Sequence, residues 1–259
     1  RYRYANGTLF EDQNLKGTID TFLSMFDNCI PYNIVTEKGK YSGPTQTQFT
    51  NDSVFNFVEK KYINEFDVLI CDDLGTEFAD HIGISNNRIA FFVEKCKKVC
   101  FSASAYQEVI GQAQKNLGSF NFEGKEFESK IHKIAKNYIF PEKNSKTQSN
   151  NIGKTSLSNK QRKTNHSTQI SRIRTPNLDV KSVKLKWIEA INNPYLRKEL
   201  YIVIGFASKH TLINQLNNLK SSNPKQDGLS EAKAILWLLS SLAASCREMN
   251  VELKFLCKD

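Results

Sequence analysis

Residues 67–95 read DVLICDDLGTEFADHIGISNNRIAFFVEK. Three short apolar runs are separated there by turn-forming residues. Asp67-Val68-Leu69-Ile70-Cys71 is a run of the buried-strand type, too short for a helix and rich in branched side chains. Leu74-Gly75-Thr76 reads as a turn, and Phe78 to Ile84 as a second strand. Ser85-Asn86-Asn87 is an Asn-rich hairpin signal, so Arg88 to Lys95 reads as a third strand folded back on the second.

Working outward, this meander is bracketed by helical patterns. Before it, Val54, Phe55, Phe57, Val58, Tyr62 and Ile63 recur at helical spacing, with Asp52 or Ser53 as the cap. After it, Ser104 to Leu117 carries an apolar face of Ala105, Tyr106, Val109, Ile110, Ala113 and Leu117. Ser104 and Gln107 have capping-box spacing, and Gly118 is placed to end the helix. Gly17 to Phe26 and Phe127 to Tyr138 are expected as further helices. Val183 to Ile191, Glu199 to Phe206, two helical stretches within Thr211 to Asn250, and Val251 to Cys257 then read as helix, strand, helices and strand.

Within the meander an acid and a lysine sit where hairpin strands would bring them to one end of a sheet. Asp80 opens the second strand and Lys95 closes the third. Hydrolysis of a phosphodiester uses hard carboxylate oxygens for a divalent cation, an activated water and stabilisation of the developing charge. A lysine beside the metal can orient the water or stabilise that charge. The order helix, three strands, helix resembles the PD-(D/E)xK nuclease core. Glu77-Phe78-Ala79-Asp80-His81-Ile82 resembles its metal-binding Asp motif, which implies Asp80 as the central Mg²⁺ or Mn²⁺ ligand. Ile89 to Lys95 resembles its lysine strand, which implies Lys95 as the catalytic lysine. Gln112 resembles the Gln of the helix motif found in several branches, and Lys115 is expected beside it on the nucleic-acid backbone. The resemblance spans about fifty residues. Its wider context is similar to nuclease modules attached to helicase-like bacterial proteins, including anti-phage systems.

The chain departs from that pattern at one position. The residue two before the lysine is acidic in the family, and here it is Val93. Strand alternation puts Val93 and Lys95 on one face and Glu94 on the other. Glu77 or Asp73 is therefore expected to supply the second carboxylate, Glu77 through irregular backbone near Gly75-Thr76. His81, His132, His166 and His210 show no metal-ligand grouping, and Ser102 and Ser104 lack a triad pattern. Gly153-Lys154-Thr155 lacks the upstream glycine of a phosphate-binding loop.

The 259 residues carry a net charge of +9. Between Pro141 and Lys186 there are eleven Lys or Arg and two acids, so the excess sits in one segment. That distribution suits a grip on a polyanion. Lys160, Arg162, Lys163, Arg172 and Arg174 are its expected contacts. Residues 141–178 are rich in Asn, Ser, Thr, Gln and Lys, and are expected as a polar basic linker or loop. Three zones result: an α/β nuclease-like core over 1–140, that linker over 141–178, and a small α/β unit over 179–259. The six cysteines, several of them in apolar runs, read as buried free thiols of a cytoplasmic protein. No run of eighteen apolar residues occurs, and neither a membrane span nor secretion is expected. The chain starts at Arg1, not Met, and is expected to be part of a longer or trimmed polypeptide.

The function expected on these grounds is metal-dependent hydrolysis of DNA, with RNA as the alternative substrate. Two rivals remain: an inactive nuclease-like module that binds nucleic acid, and an oligomerising scaffold. The Leu-rich helix over Ala232 to Met249 suggests a homodimer for the scaffold, and the resemblance suggests a helicase-like partner or domain.

Overall fold

Val68, Leu69, Ile70 and Cys71 are all buried, on both faces of the strand they form. A strand with no polar side must lie between two layers, and the fold is built around that requirement. The computed structural model describes residues 2–5, 8–11, 19–74, 77–121, 124–141, 165–221 and 223–259. In chain order it has β1 (Tyr2–Ala5), β2 (Thr8–Glu11), α1 (Ile19–Ser24), β3 (Phe26–Asp27), α2 (Val54–Tyr62), β4 (Val68–Cys71), β5 (His81–Ser85), β6 (Arg88–Lys95) and α3 (Ala103–Leu117). There follow α4 (Gly124–Ile134), β7 (Asn137–Pro141), β8 (Asn165–Ser171), α5 (Val180–Ile191), β9 (Arg197–Ser208), α6 (Lys209–Asn218), α7 (Leu229–Glu248) and β10 (Val251–Lys258).

The main sheet is mixed and six-stranded, in the order β3-β10-β9-β6-β5-β4. The pairs β4–β5 and β5–β6 are antiparallel, so the expected meander forms, with the helices α2 and α3 on either side of it in the chain. β6 then pairs in parallel with β9, and β10 in parallel with β9 and β3. Residues 179–259 do contain the expected helix, strand, helices and strand, and both strands join this same sheet. Two small antiparallel sheets pair β1 with β2 and β7 with β8.

The two faces of the sheet bury different sets. Ile70, Ile82, Ile84, Ile89, Phe91, Val93, Leu200, Ile202 and Ile204 share one core with the apolar faces of α3, α5, α6 and α7. Ala90, Phe92, Tyr201 and Val203 pack on the other side under Val54, Val58 and Tyr62 of α2. Gly83 lets the Phe66 ring approach: a Cβ there would lie 2.7 Å from the ring. The Leu-rich helix α7 puts Leu229, Ala232, Ile235, Leu236, Leu239, Leu242 and Cys246 into the first core. Its length and hydropathy would suffice for a membrane crossing, but its apolar face is used in packing.

Several boundaries differ from the expectation, each for a local reason. α2 is capped by Ser53, whose Oγ accepts the Asn56 N–H at 3.2 Å. α3 starts at Ala103 after Ser102, and Ser104 pairs with Ser102 Oγ at 2.9 Å, so no Ser104–Gln107 box forms. Gly118 has φ −57° and continues into a 3-10 turn over Gly118–Asn121 instead of stopping the helix in a left-handed turn. α4 ends at Ile134, because Tyr138 and Phe140 are buried while Ile139 is exposed, a two-residue period that makes β7. α1 covers Ile19–Ser24 of the longer helix expected; residues 17 and 18 lie outside the described residues.

The segment expected as a linker departs further. Residues 142–164 lie outside the described residues. Residues 165–175 are structured: β8 pairs with β7, and the chain then runs along β4, the edge of the main sheet. Cys71 N–H donates to the Arg172 carbonyl and Arg174 N–H to the Leu69 carbonyl, both at 2.8 Å. The Leu69 N–H donates to Thr175 Oγ1, also at 2.8 Å. The open ladder of an edge strand is thereby satisfied.

Candidate active site

The C-terminal ends of β4 and β6 and the start of β5 meet at one end of the meander, and the chemistry-bearing residues collect there. Asp80 precedes β5 instead of lying inside it. Its main chain still pairs on both sides: Asp80 N–H donates to the Phe92 carbonyl at 2.9 Å, and its carbonyl accepts from Asp72 N–H at 2.8 Å. The side chain is 4% exposed and accepts the Glu94 N–H at 2.7 Å. Burial pushes the Asp80 carboxyl well above its ordinary range, and the Glu94 and Asp73 carboxylates push it further.

Asp72 and Asp73, side by side after β4, have separate tasks. Asp72 is fully buried, accepts the Phe78 N–H at 2.8 Å and pairs with Lys130 of α4 at 2.7 Å. It anchors the main chain at Phe78, ahead of β5. Asp73 meets Lys38 Nζ at 2.6 Å and accepts the Tyr138 hydroxyl at 2.7 Å. Burial alone would raise its carboxyl; Lys38, Tyr138 and Arg172 outweigh that and hold it below the usual range. Glu77 is half-buried and accepts from Gln112 Nε2 at 3.3 Å. Burial, then Asp73, raises its carboxyl, while Lys38 and the exposed Lys115 pull it down. Asp73 is thus the charge felt by both other acids.

Lys95 closes β6 as expected, but it is tied to Glu37 at 3.1 Å and to Glu108 of α3 at 3.0 Å. Burial works against its charge, and Glu37 and Glu108 hold its ammonium above the usual value. Val93 is fully buried in the core under α3, where an acid would lose its hydration. Glu94 faces the opposite side, as alternation demands. It pairs with His81 Nδ1 at 2.5 Å, and His81 Nε2 lies 3.3 Å from Glu59 of α2. Burial pushes Glu94 up to about 7 against the pull of His81. For His81, burial alone would lower the pKa, and the Glu94 charge holds it well above the ordinary value.

Of the residues expected to grip nucleic acid, two turn inward. Arg172 is 5% exposed, donates to the Asp73 carbonyl at 3.0 Å and lies over the Tyr138 ring. Arg174 makes a two-point pair with Glu59, at 2.6 and 2.8 Å. Lys160, Arg162 and Lys163 lie outside the described residues, as do Gly75 and Thr76.

The structure therefore brings Asp73, Glu77, Asp80 and Gln112 to one locality, with Lys115 at its rim, and Lys95 is linked to Asp73 only through Glu37 and Lys38. Lys38, Glu37, Tyr138 and the His81–Glu94 pair were not legible as members. The available signal was the charged pair Glu37-Lys38 before Gly39, in a stretch with no periodicity to place it. Among the described residues, no three His, Cys, Asp or Glu side chains form a group that could hold a metal ion.

Comparison of the chain with family models, curated proteins and solved structures finds no match.

Proposed function

We propose that the chain is a metal-dependent nuclease module of the PD-(D/E)xK kind, with its site at Asp73, Glu77 and Asp80. The observation that carries this reading is the buried Asp80 side chain, anchored by the Glu94 N–H at the end of an antiparallel meander. Burial first, then Glu94 and Asp73, raise this acid against the pull of Lys38, and a hard divalent cation would add positive charge there. All-oxygen donors suit Mg²⁺ or Mn²⁺, which keep several waters and take one or two carboxylates instead of a closed protein cage. Asp80 and either Asp73 or Glu77 are the proposed oxygen donors; among the described residues no three His, Cys, Asp or Glu side chains converge to hold an ion. When bound, the ion would lower the pKa of a water and polarise the phosphate.

The chain's own residues contribute the rest. Gln112 fixes Glu77, and Lys115 adds positive charge at the rim for a phosphate. Lys95 connects to the acids through Glu37 and Lys38. The basic residues Lys160, Arg162 and Lys163 add sequence-independent affinity, and DNA is the proposed substrate. A cytoplasmic location and a part in anti-phage defence belong to this same reading.

The second reading, an inactive binding module, draws on Val93 and on the double tether of Lys95. Incubating the full chain with circular DNA in Mg²⁺ or Mn²⁺ separates the two. Nicking that EDTA abolishes supports the nuclease; a salt-sensitive gel shift without cleavage supports the binding module.

A further inference from the structure

β6 and β9 are parallel neighbours in the main sheet, and each is followed by a helix, α3 and α6. A cavity of about 220 Å³ lies where the carboxyl ends of these strands meet the first turns of these helices. The loop after β6 reaches β9, where Cys100 N–H donates to the Phe206 carbonyl at 3.0 Å, and it lines the cavity with Val99, Cys100 and Phe101. Tyr106, in the first turn of α3, and Ser208 and Thr211, at the start of α6, complete the lining. Val99 is 45% exposed and Cys100 is exposed, so the mouth is open to solvent. The volume is below the roughly 300 Å³ at which drug-sized ligands begin, so the cavity takes one small molecule.

Its polar groups are donors. The Tyr106 side chain is 1% exposed and its ring packs edge-on against Phe206, yet its hydroxyl has no hydrogen-bond partner among the described residues. Burial, then Cys257 and Cys100, push the phenol above its ordinary range, so it stays a protonated donor. Cys100 itself lines the cavity, which places the hydroxyl toward it. An unpaired buried hydroxyl is a cost that an acceptor on a ligand removes. Ser208 Oγ accepts the Thr211 N–H at 3.3 Å, which leaves its own proton to donate. The N–H groups of Lys209 and His210 precede the first intrahelical bond of α6 and carry its positive end. Among the described residues no carboxylate lines the cavity.

We propose that this cavity binds a small organic anion, with its carboxylate or phosphate head on the first turn of α6 and the Tyr106 hydroxyl, and its short apolar body against Val99 and Phe101. Helix amino ends favour negative charge, and ligands of open α/β sheets sit outside the carboxyl ends of the strands. The cavity shares no lining residue with the acids at the end of the meander, and the proposal does not rest on the nuclease reading.

The test titrates the full chain with benzoate, phenyl phosphate, inorganic phosphate and benzyl alcohol, followed by main-chain NMR shifts. Benzoate or phenyl phosphate should shift the signals of residues 99–106 and 208–211, and whichever binds tighter assigns the head. Each half alone, inorganic phosphate or benzyl alcohol, should bind about tenfold more weakly or worse. Tyr106→Phe, which keeps the ring, should weaken the tighter probe about tenfold, the scale of one hydrogen bond to a charged group. Lys186→Met removes a surface charge elsewhere and should leave affinity unchanged. Without any probe, Tyr106→Phe should melt at the wild-type temperature or above, since it removes an unpaired buried hydroxyl. The proposal is overturned if neither anion shifts those segments, if Tyr106→Phe and wild type bind equally, or if benzyl alcohol binds as tightly as benzoate. A lower melt for Tyr106→Phe also overturns it, because that result gives the hydroxyl a partner inside the protein.

Discussion

The main-chain N–H of Glu94 donates to the Asp80 carboxylate at 2.7 Å. This one bond ties β6 to the acid that precedes β5, across the open end of the meander. Asparagine at position 80 can still accept it while removing a charge that burial, Glu94 and Asp73 all disfavour. Asp80→Asn should therefore lower cleavage by about a hundredfold or more, the scale of losing one electrostatic partner of a transition state. It should leave stability at pH 8 equal to or above wild type in urea titration. A variant with both full cleavage and lower stability would contradict the role assigned to Asp80.

The His81–Glu94 pair makes a second prediction, about pH. Glu94 is raised from its ordinary 4.5 to about 7, so the folded protein holds that proton more tightly than the unfolded chain. Its contribution to stability is full below about pH 4.5 and is lost as pH rises through 7. His81 is also raised, and its contribution is likewise lost as pH rises through its folded value. Asp73, held low, runs the other way and loses its contribution as pH falls. Glu94→Gln should flatten the decline in urea stability between pH 5 and 8 by on the order of 1–3 kcal/mol. An unchanged profile would mean that Glu94 titrates as an ordinary surface acid.

Arg174 tests whether the basic segment is one functional unit. Its guanidinium forms a two-point pair with the buried Glu59, and Arg174→Met would leave that carboxylate without its main partner. The expected cost is about 3–5 kcal/mol of folding stability, with no change in the salt dependence of DNA binding. Replacing Lys160, Arg162 and Lys163 with Ala should do the reverse. Stability stays level, and the slope of log affinity against log salt drops by about 0.9 for each phosphate that is no longer neutralised. A salt slope that responds to Arg174 and ignores the other three would overturn this division.

Gly83 tests the sheet geometry. It faces Phe66, whose ring also has the Arg88 guanidinium 4.1 Å from its centroid. Gly83→Ala forces that ring outward, at about 1–3 kcal/mol of overpacking strain. A neutral result in thermal unfolding would show that the packing of Phe66 on β5 is wrong.

These residues also mark what the sequence made legible. The meander and its flanking helices could be read because Val68 to Cys71 and Ile89 to Val93 are apolar on both faces, with Asn86-Asn87 at the turn between β5 and β6. The opposite facings of Val93 and Glu94 followed from strand alternation alone. The edge segment 165–175 was not legible, because its contribution to β4 is made by main-chain groups and by Thr175, whatever the polarity of its side chains. Lys38 escaped for a related reason. It comes from an aperiodic stretch, and its partner Asp73 lies 35 positions away along the chain. Contacts between loops leave no repeating signature, whereas strands and helices do.

DNA cleavage that depends on Asp80 is read in a plasmid assay. Supercoiled circular DNA is incubated in Mn²⁺ with the full chain or its Asp80→Asn variant, alongside an EDTA control. The account predicts nicked and linear DNA with wild type, and intact supercoils with the variant and with EDTA. Supercoils that survive wild type, or equal cleavage by wild type and Asp80→Asn, would contradict it.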